Sequence, residues 1–460
     1  MKQFFCADSK NVIGQEIELF GWVNSRRDHG KIIFFDLRDR SGLVQLVVSP
    51  DSAAYNVAQK LGLEFVIRIK GKVNKRPKNM VNLKLETGKV EIIVSELGVL
   101  SEALPPVFSV ASNTRKIKEE RRLKYRYLDL RSERMRTNLA KREELQSAFR
   151  HFLKKHHFSE IETPYLTKGT PEGAREYVIP SRIYQGNFYV LPQSPQQFKQ
   201  LLMVAGIERY FQFARCFRDE DPRGDRQPEF TQLDIEMSFI KEETLLSLME
   251  EMMIEVMSKV YPKKKIAKIP FPRFSFEEVM EKFGTDKPDL RKDKENSDEL
   301  SFAWIVDMPL LEWSETEKKL VSTHHPFTAP KTEDVGKLSK APEKVKAQAY
   351  DLVLNGQEVA GGSIRIHQQN LQKKIFKILG LKESEIKQKF GHILEAFSYG
   401  VPPHGGIAFG FDRLLMILQN EKSIREVIPF PKTGDARDLL MDAPSKISDE
   451  QLKELGIRFK

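Results

Sequence analysis

The sequence predicts an α+β chain built from a small five-stranded β-barrel of the OB type and a larger domain in which longer strands alternate with helices. Three observations predict it. Short runs rich in Val, Ile and Phe, separated by Gly, Asp, Ser or Asn, fill residues 1–104. Pro105-Pro106 ends that pattern, and after Pro164 the apolar spacing becomes helical and alternates with longer strands. With 460 residues the chain can form two or three cores, at roughly 100–200 residues per domain.

The barrel strands fall at 17–23, 32–37, 43–48, 65–73 and 90–94, with a helix expected over 52–61 between the third and fourth. That insertion suits the OB arrangement, although any five-stranded barrel or sandwich shares the count. In the second strand Phe34 and Phe35 are neighbours, and alternation sends one ring outward when the other faces the core. Arg26 and Arg27 stand beside this strand, and Gln45, Arg68 and Arg76 follow. An exposed ring in that setting is a platform for an unstacked base; a core Phe among solvated arginines is the alternative. Residues 105–137 read as a basic linker, and a domain covering 138–460 begins with a helix over 138–156. Further helices are expected at 245–260 and 371–379, and the lysine- and aspartate-rich stretch 287–301 reads as a loop.

The net charge of +10, from 75 Lys and Arg against 65 Asp and Glu, makes a polyanionic partner plausible. Two cysteines, Cys6 and Cys216, exclude a disulfide framework and a four-cysteine zinc site, which fits a reduced cytoplasmic setting. The apolar run at the start is too short for a signal peptide and no stretch of 18 apolar residues exists, so a soluble intracellular protein without membrane association is expected.

Three segments carry chemistry. The run 210–220 and the alternating run 229–237 form a hairpin, with Leu233, Ile235 and Met237 on one face and Gln232, Asp234 and Glu236 on the other. Their connection is long and charged, where structural hairpins close in about two to five residues, which points to a functional loop. In the second segment, Glu358-Val359-Ala360-Gly361-Gly362-Ser363-Ile364-Arg365, the paired glycines allow close approach of a ligand. Glu358 and Asp351 offer hard oxygen ligands for Mg²⁺; a plain β-bulge is the alternative. The third, 404–418, reads as a strand, a glycine turn and an apolar helix with Arg413 in its first turn, where the macrodipole disfavours a cation unless an anion sits there too. Neither GxxxxGK[ST] nor GxGxxG occurs, so this phosphate site is not of the Walker or Rossmann kind.

Together these segments resemble the class II aminoacyl-tRNA synthetases, and among them the bacterial-type aspartyl-tRNA synthetases. Ile161-Glu162-Thr163-Pro164 resembles motif 1, Phe217-Arg218-Asp219-Glu220 with Glu229-Phe230 motif 2, and Gly410-Phe411-Asp412-Arg413 motif 3. The stretches 170–175, 193–199, 284–289 and His324-His325-Pro326-Phe327 match at the subfamily level. The resemblance implies an antiparallel catalytic sheet flanked by helices, a homodimer joined through motif 1, and synthesis of aspartyl-adenylate from ATP and L-aspartate before transfer to tRNA-Asp.

The resemblance also implies roles. Arg218 would bind the α-phosphate and Arg413 the γ-phosphate, with Phe230 stacking on adenine, Glu358 and Asp351 holding Mg²⁺, and Asp219, Glu220, Gln227, Gly410, Phe411 and Asp412 completing the ATP site. Lys199 and Arg365 would grip the side-chain carboxylate of aspartate, Asp234 and Glu172 its ammonium, with Gln196 and His324 adding hydrogen bonds. Asparagine would leave two cations unpaired, a mismatch that can cost ~10⁴ in selection. In the barrel, Phe34 would stack on an anticodon base, with Arg27, Gln45 and Arg76 on bases or phosphates.

Two departures stand out. The extra domain of about 100 residues that bacterial members carry between motifs 2 and 3 is replaced by the short connection 287–302. Ser25 stands where many relatives have Arg, and His29 where members specific for tRNA-Asp often have Leu, which suggests an enzyme that also charges tRNA-Asn. A non-catalytic tRNA-binding relative should have lost Arg218, Glu358 or Arg413, and an enzyme for asparagine or lysine would not need two cations at Lys199 and Arg365.

Overall fold

Strands β1 (Glu16–His29), β2 (Ile32–Asp39), β3 (Gly42–Val48), β4 (Val66–Lys75) and β5 (Val90–Ser101) close into a barrel in the order β1-β2-β3-β5-β4. The computed structural model describes residues 4–169, 174–221, 224–316 and 318–458. Closure depends on β1, which is longer than its apolar run suggests: Glu16 to Trp22 pair with β4, and Trp22 to His29 with β2. A register shift between Val23 and Ser25 bends the strand from one neighbour to the other. Gly21 sits at this crossing, where a Cβ would meet the Arg38 carbonyl oxygen at 2.4 Å. Leu19, Phe35, Leu37, Leu46, Ile67, Ile69 and Ile92 fill the interior, so Phe35 is the core ring and Phe34 is half-buried on the outside.

The helix expected over 52–61 contracts to Tyr55–Ala58 between turns, because Ser52 turns the chain there: its hydroxyl donates to the Val94 carbonyl and accepts from the Ala54 amide. Ala54, Ala58 and Leu61 still pack into the barrel core. Residues read as a linker include two short helices, Glu119–Lys124 and Arg126–Asp129. The buried Asp129 carboxylate accepts from Arg122 at 3.2 Å and Arg126 at 2.7 Å, so part of the linker's positive charge is balanced within it.

The chain divides into two units, one ending at Thr137 and one starting at Asn138. The second is organised by an eight-stranded sheet: β6 (Ser159–Glu160), β7 (Arg209–Phe217), β8 (Glu229–Ser238), β9 (Arg273–Ser275), β10 (Phe302–Val306), β11 (Ala349–Leu354), β12 (Gln357–Ile364) and β13 (His404–Gly410), in the order β9-β10-β11-β12-β13-β8-β7-β6. The six inner strands are antiparallel as expected, but β6 runs parallel to β7 and β9 parallel to β10, so the sheet is mixed.

One face is apolar. Leu233, Ile235, Met237, Ile407 and Phe409 from β8 and β13 pack with Phe149 and Phe152, with Met249 and Met253, and with Leu414 and Leu415. Those partners come from the helices Glu133–Lys155, Glu242–Val260 and Phe411–Leu418. The opposite face of the same strands carries Gln232, Asp234 and Glu236, the last two almost wholly buried. Carboxylates go there only with partners, and those partners build the site.

Candidate active site

A cavity of about 590 Å³ opens on the polar face of the sheet, lined from β8, β12, β13, the β7–β8 connection and the start of the helix Gln196–Val204. Its floor is a buried quartet of charges. Lys199 Nζ lies 2.9 Å from Asp234 Oδ1 and 3.2 Å from Glu236 Oε2. Arg365 grips Glu236 with two parallel bonds, Nε to Oε1 at 3.0 Å and Nη2 to Oε2 at 3.1 Å, and its Nη1 donates to Ser363 Oγ at 2.7 Å and meets His325 Nε2. Two cations and two anions cancel, which permits all four to be buried.

The sequence reading placed Lys199, Arg365 and Asp234 here but missed Glu236, which holds both cations. A signal was available in Gly405-Gly406. A Cβ at Gly406 would lie 2.0 Å from Glu236 Oε2 and 2.2 Å from the Ile235 carbonyl oxygen, so only glycine leaves room for this carboxylate.

Burial raises the Glu236 carboxyl, but Arg365 and Lys199 outweigh it and bring it down to about 2. Asp234 goes the other way: burial raises it, and Lys199 only partly offsets that. His325 is held well below the ordinary histidine range by burial and then by Arg365, so it faces that guanidinium as a neutral ring. Burial likewise lowers His404, whose Nδ1 donates to the Pro402 carbonyl. Its Nε2 then accepts from Gln200, and Gln200 accepts from Gln196 at 3.1 Å, so the floor continues as a chain of neutral hydrogen bonds.

The other end of the cavity carries two arginines, Arg218 and Arg413. Arg218 leaves the end of β7 with its guanidinium 5.2 Å above the half-buried Phe230 ring, and its buried Nε has no hydrogen-bond partner. Arg413 Nη1 donates to the Glu358 carbonyl at 2.8 Å, Nη2 pairs with Asp225 at 3.2 Å, and Nε is again an unmet buried donor. Glu358 also pairs with Lys287 at 3.1 Å, so the connection 287–302 reaches the cavity.

Opposite Gly361 on the paired strand stands Asp351. A Cβ at Gly361 would come within 2.7 Å of Asp351 Oδ1 and 3.6 Å of Glu358 Oε1, so the glycine keeps a cradle open between two carboxylates. Asp351 Oδ1 is buried without a hydrogen bond, and burial followed by the Glu358 charge raises its carboxyl well above the usual range. A register shift at Leu352/Val353 shows that the bulge and the carboxylate pair coexist. His324 borders the same space, its Nε2 3.9 Å from Asp351 Oδ1.

Gln196, His324, Glu220 and Gly410 line the cavity, as do Gln227 and Asp412, but these last two are committed elsewhere. Gln227 accepts from the Lys432 amide at 2.7 Å and donates to the Lys432 carbonyl at 3.1 Å. Asp412 accepts from Arg142 at 2.5 Å and from the Thr231 amide at 2.8 Å, which pins the helix start beside β8. Phe411 is a fully buried core ring against Phe149 and Phe213, on the far side of the sheet from the cavity. The Asp219 amide donates to the Arg175 carbonyl at 3.0 Å, and Glu220 pairs with Arg226 at 2.9 Å. Glu172 lies outside the described residues.

Among models of known families, residues 118–434 match tRNA synthetases class II (D, K and N), and residues 17–100 match the OB-fold nucleic acid binding domain. The chain belongs to the class II tRNA synthetases. It is 42% identical to the Aspartate--tRNA(Asp/Asn) ligase of Syntrophomonas wolfei over 98% of either chain, and 43% identical to that of Caldanaerobacter subterraneus over 97% of this chain and 96% of the relative. The first alignment runs to 575 positions, more than the 460 residues of this synthetase, so the relative carries residues with no counterpart here. In three dimensions it resembles the asparaginyl-tRNA synthetase from Pyrococcus horikoshii complexed with asparaginyl-adenylate, with a TM-score of 0.76 at 22% identity over 94% of this chain and 98% of that one.

On the barrel of this synthetase, Arg27 stands opposite Phe34 and Gln45 opposite Asp36, so these side chains share the outer face of β1–β3. Arg27 pairs with Asp36 at 3.0 Å and reaches Gln45 at 3.3 Å; Gln45 donates to Glu91 at 3.0 Å, and Arg76 lies 3.9 Å from Glu91. Ser25 also hydrogen-bonds Asp36, and His29 is exposed at the end of β1. Arg26 and Arg68, named beside Phe34 from the sequence, are engaged elsewhere: Arg26 with Asp28 and main-chain carbonyls of Gln59 and Leu61, Arg68 with Glu18.

Proposed function

We propose that this chain is an aspartate–tRNA ligase that charges both tRNA-Asp and tRNA-Asn. The observation that carries the substrate reading is the pair of buried cations, Lys199 and Arg365, held side by side by Glu236 at the floor of a cavity whose other end presents Arg218 and Arg413. In the first step a carboxylate oxygen of aspartate attacks the α-phosphorus of ATP, the bond to the bridging oxygen breaks, and pyrophosphate leaves. In the second, a terminal ribose hydroxyl of the tRNA attacks the aspartyl carbonyl and AMP departs. The nucleophile of the first step is already an anion, so the protein's tasks are positioning and charge stabilisation.

Lys199 and Arg365 face the substrate side chain, and Asp234 its ammonium. The unmet Nε donor of Arg218 suits the charge that builds at the α-phosphate, and that of Arg413 the terminal phosphate. Phe230 offers its ring to adenine. The open cradle and the unsatisfied Asp351 oxygen fit a divalent cation, which Asp351 and Glu358 would hold. Bound Mg²⁺ would neutralise phosphate charge there. Phe34 stacks an anticodon base, flanked by Arg27, Gln45 and Arg76. The exposed His29, together with relatives named for tRNA(Asp/Asn), supports acceptance of both tRNAs. We extend the reading to a homodimer in the cytoplasm, where the two buried cysteines, Cys6 and Cys216, would stay reduced.

Aminoacylation of purified tRNA-Asp and tRNA-Asn transcripts tests this reading. Comparable efficiency is expected for the two. Strong rejection of tRNA-Asn would limit the enzyme to tRNA-Asp, and failure of aspartate-dependent pyrophosphate exchange without tRNA would end the whole assignment.

A further inference from the structure

The phosphate end of the cavity contains two ion pairs between groups that the proposed ligands would need. Arg413, the candidate for the terminal phosphate, is paired with the Asp225 carboxylate at 3.2 Å. Glu358, the candidate for the metal, is paired with the Lys287 ammonium at 3.1 Å. A carboxylate is the closest match in a protein to a pair of phosphate oxygens, and an ammonium the closest to a small cation. Both partners come from connections rather than from the sheet, and both are more than two-fifths exposed, whereas Arg413 and Glu358 are the more buried members. The exposed partner can therefore leave while the buried one stays. Arg413 is additionally fixed by its bond to the Glu358 main chain, which ties the two pairs into one unit.

We propose that Asp225 and Lys287 are resident stand-ins for the terminal phosphate and the divalent cation of ATP, displaced together when ATP and metal enter. This rests on the ATP reading above. It has a consequence that a merely structural pair would lack. A nucleotide with a terminal phosphate to place on Arg413 competes with Asp225, whereas AMP leaves Asp225 where it is. The stand-ins thus lower the affinity for ATP itself while leaving the adenosine subsite untouched. Lys287, once displaced from Glu358, remains beside the phosphates as an added positive charge.

Equilibrium dialysis of the full chain, without aspartate or tRNA, tests the anion half. Asp225→Asn should tighten ATP·Mg²⁺ binding by roughly 1.5–5-fold, the range for an exposed ion pair, and leave AMP binding unchanged. Asp221→Asn, an exposed carboxylate of the same connection, sets the background for loss of one negative charge. For the cation half, Mn²⁺ binding without nucleotide, followed by electron paramagnetic resonance, should tighten in Lys287→Met beyond any change in Lys292→Met, an exposed lysine nearby. Unchanged or weaker ATP·Mg²⁺ binding in Asp225→Asn, equal tightening for ATP and AMP, or Mn²⁺ affinity no different between the two lysine variants would overturn the proposal. A wild-type protein that binds no ATP·Mg²⁺ would overturn it along with the ATP reading; a wild type that binds it normally confines the failure to the stand-ins.

Discussion

Glu236→Gln is the sharpest test of how the aspartate end of the site is held. The side chain is fully buried, and its two oxygens take three contacts: two from Arg365 and one from Lys199. Glutamine keeps the shape but turns one acceptor into a donor, so at least one contact becomes donor against donor, and the two cations are left with Asp234 as the one anion of the quartet. Breaking a buried ion pair costs about 3–5 kcal/mol. The low end applies here, because Lys199 retains Asp234 at 2.9 Å and Arg365 retains Ser363 at 2.7 Å. We therefore expect a loss of ~3 kcal/mol in urea unfolding, with the Michaelis constant for aspartate in pyrophosphate exchange raised at least tenfold, about 1.4 kcal/mol. The constant for ATP should change far less. Saturating aspartate should recover less stability in the variant than in the wild type, because the stabilisation a ligand confers grows with its affinity and the variant binds aspartate more weakly. A loss below ~1 kcal/mol together with an unaltered constant for aspartate would show that the cations are held by something other than Glu236.

Three further outcomes follow from the same geometry. Gly406→Ala should cost ~1–3 kcal/mol, since the added methyl meets the Ile235 carbonyl as well as Glu236, and should weaken aspartate binding before ATP binding; thermal melts and the two Michaelis constants check this. His404 is lowered by burial, so below the ordinary histidine range the unfolded chain binds a proton that the folded chain refuses, and its contribution to stability falls as pH drops. The stability of the wild type relative to His404→Gln should therefore decline from pH 7.5 toward 5.5 by up to about 1.4 kcal/mol per pH unit, read from urea titrations, and a flat difference would contradict the assignment. Phe34→Ala should weaken tRNA binding by ~1–3 kcal/mol while leaving tRNA-free pyrophosphate exchange at the wild-type rate; a fall in that exchange would remove Phe34 from the anticodon role.

Much of the architecture was legible because it rests on local periodicity. Alternation of Leu233, Ile235 and Met237 with Gln232, Asp234 and Glu236 placed a two-faced strand, and the length and charge of the connection that precedes it pointed to a functional loop. The helix Glu242–Val260 was visible from its apolar stripe to within a few residues. The short helix Gln196–Val204 was not, because nine residues give little periodic signal, and four of its buried positions are Gln196, Gln197, Lys199 and Gln200. Those residues are buried by the site, not by a hydrophobic core.

From the sequence alone came the candidates Lys199, Arg365, Arg218, Arg413, Phe230 and Phe34, because cationic and aromatic side chains within recognisable motifs can be named without knowing their neighbours. Only the tertiary structure decided how the charges are shared. Glu236 proved to be the anchor of two cations, Asp412 and Gln227 were found spending their polar atoms on the scaffold, and Asp225 and Lys287 turned up at the phosphate end. The physical reason is that an ion pair in a buried site joins residues far apart in sequence, and its partner is set by strand register and by the space a glycine leaves, neither of which a local pattern records.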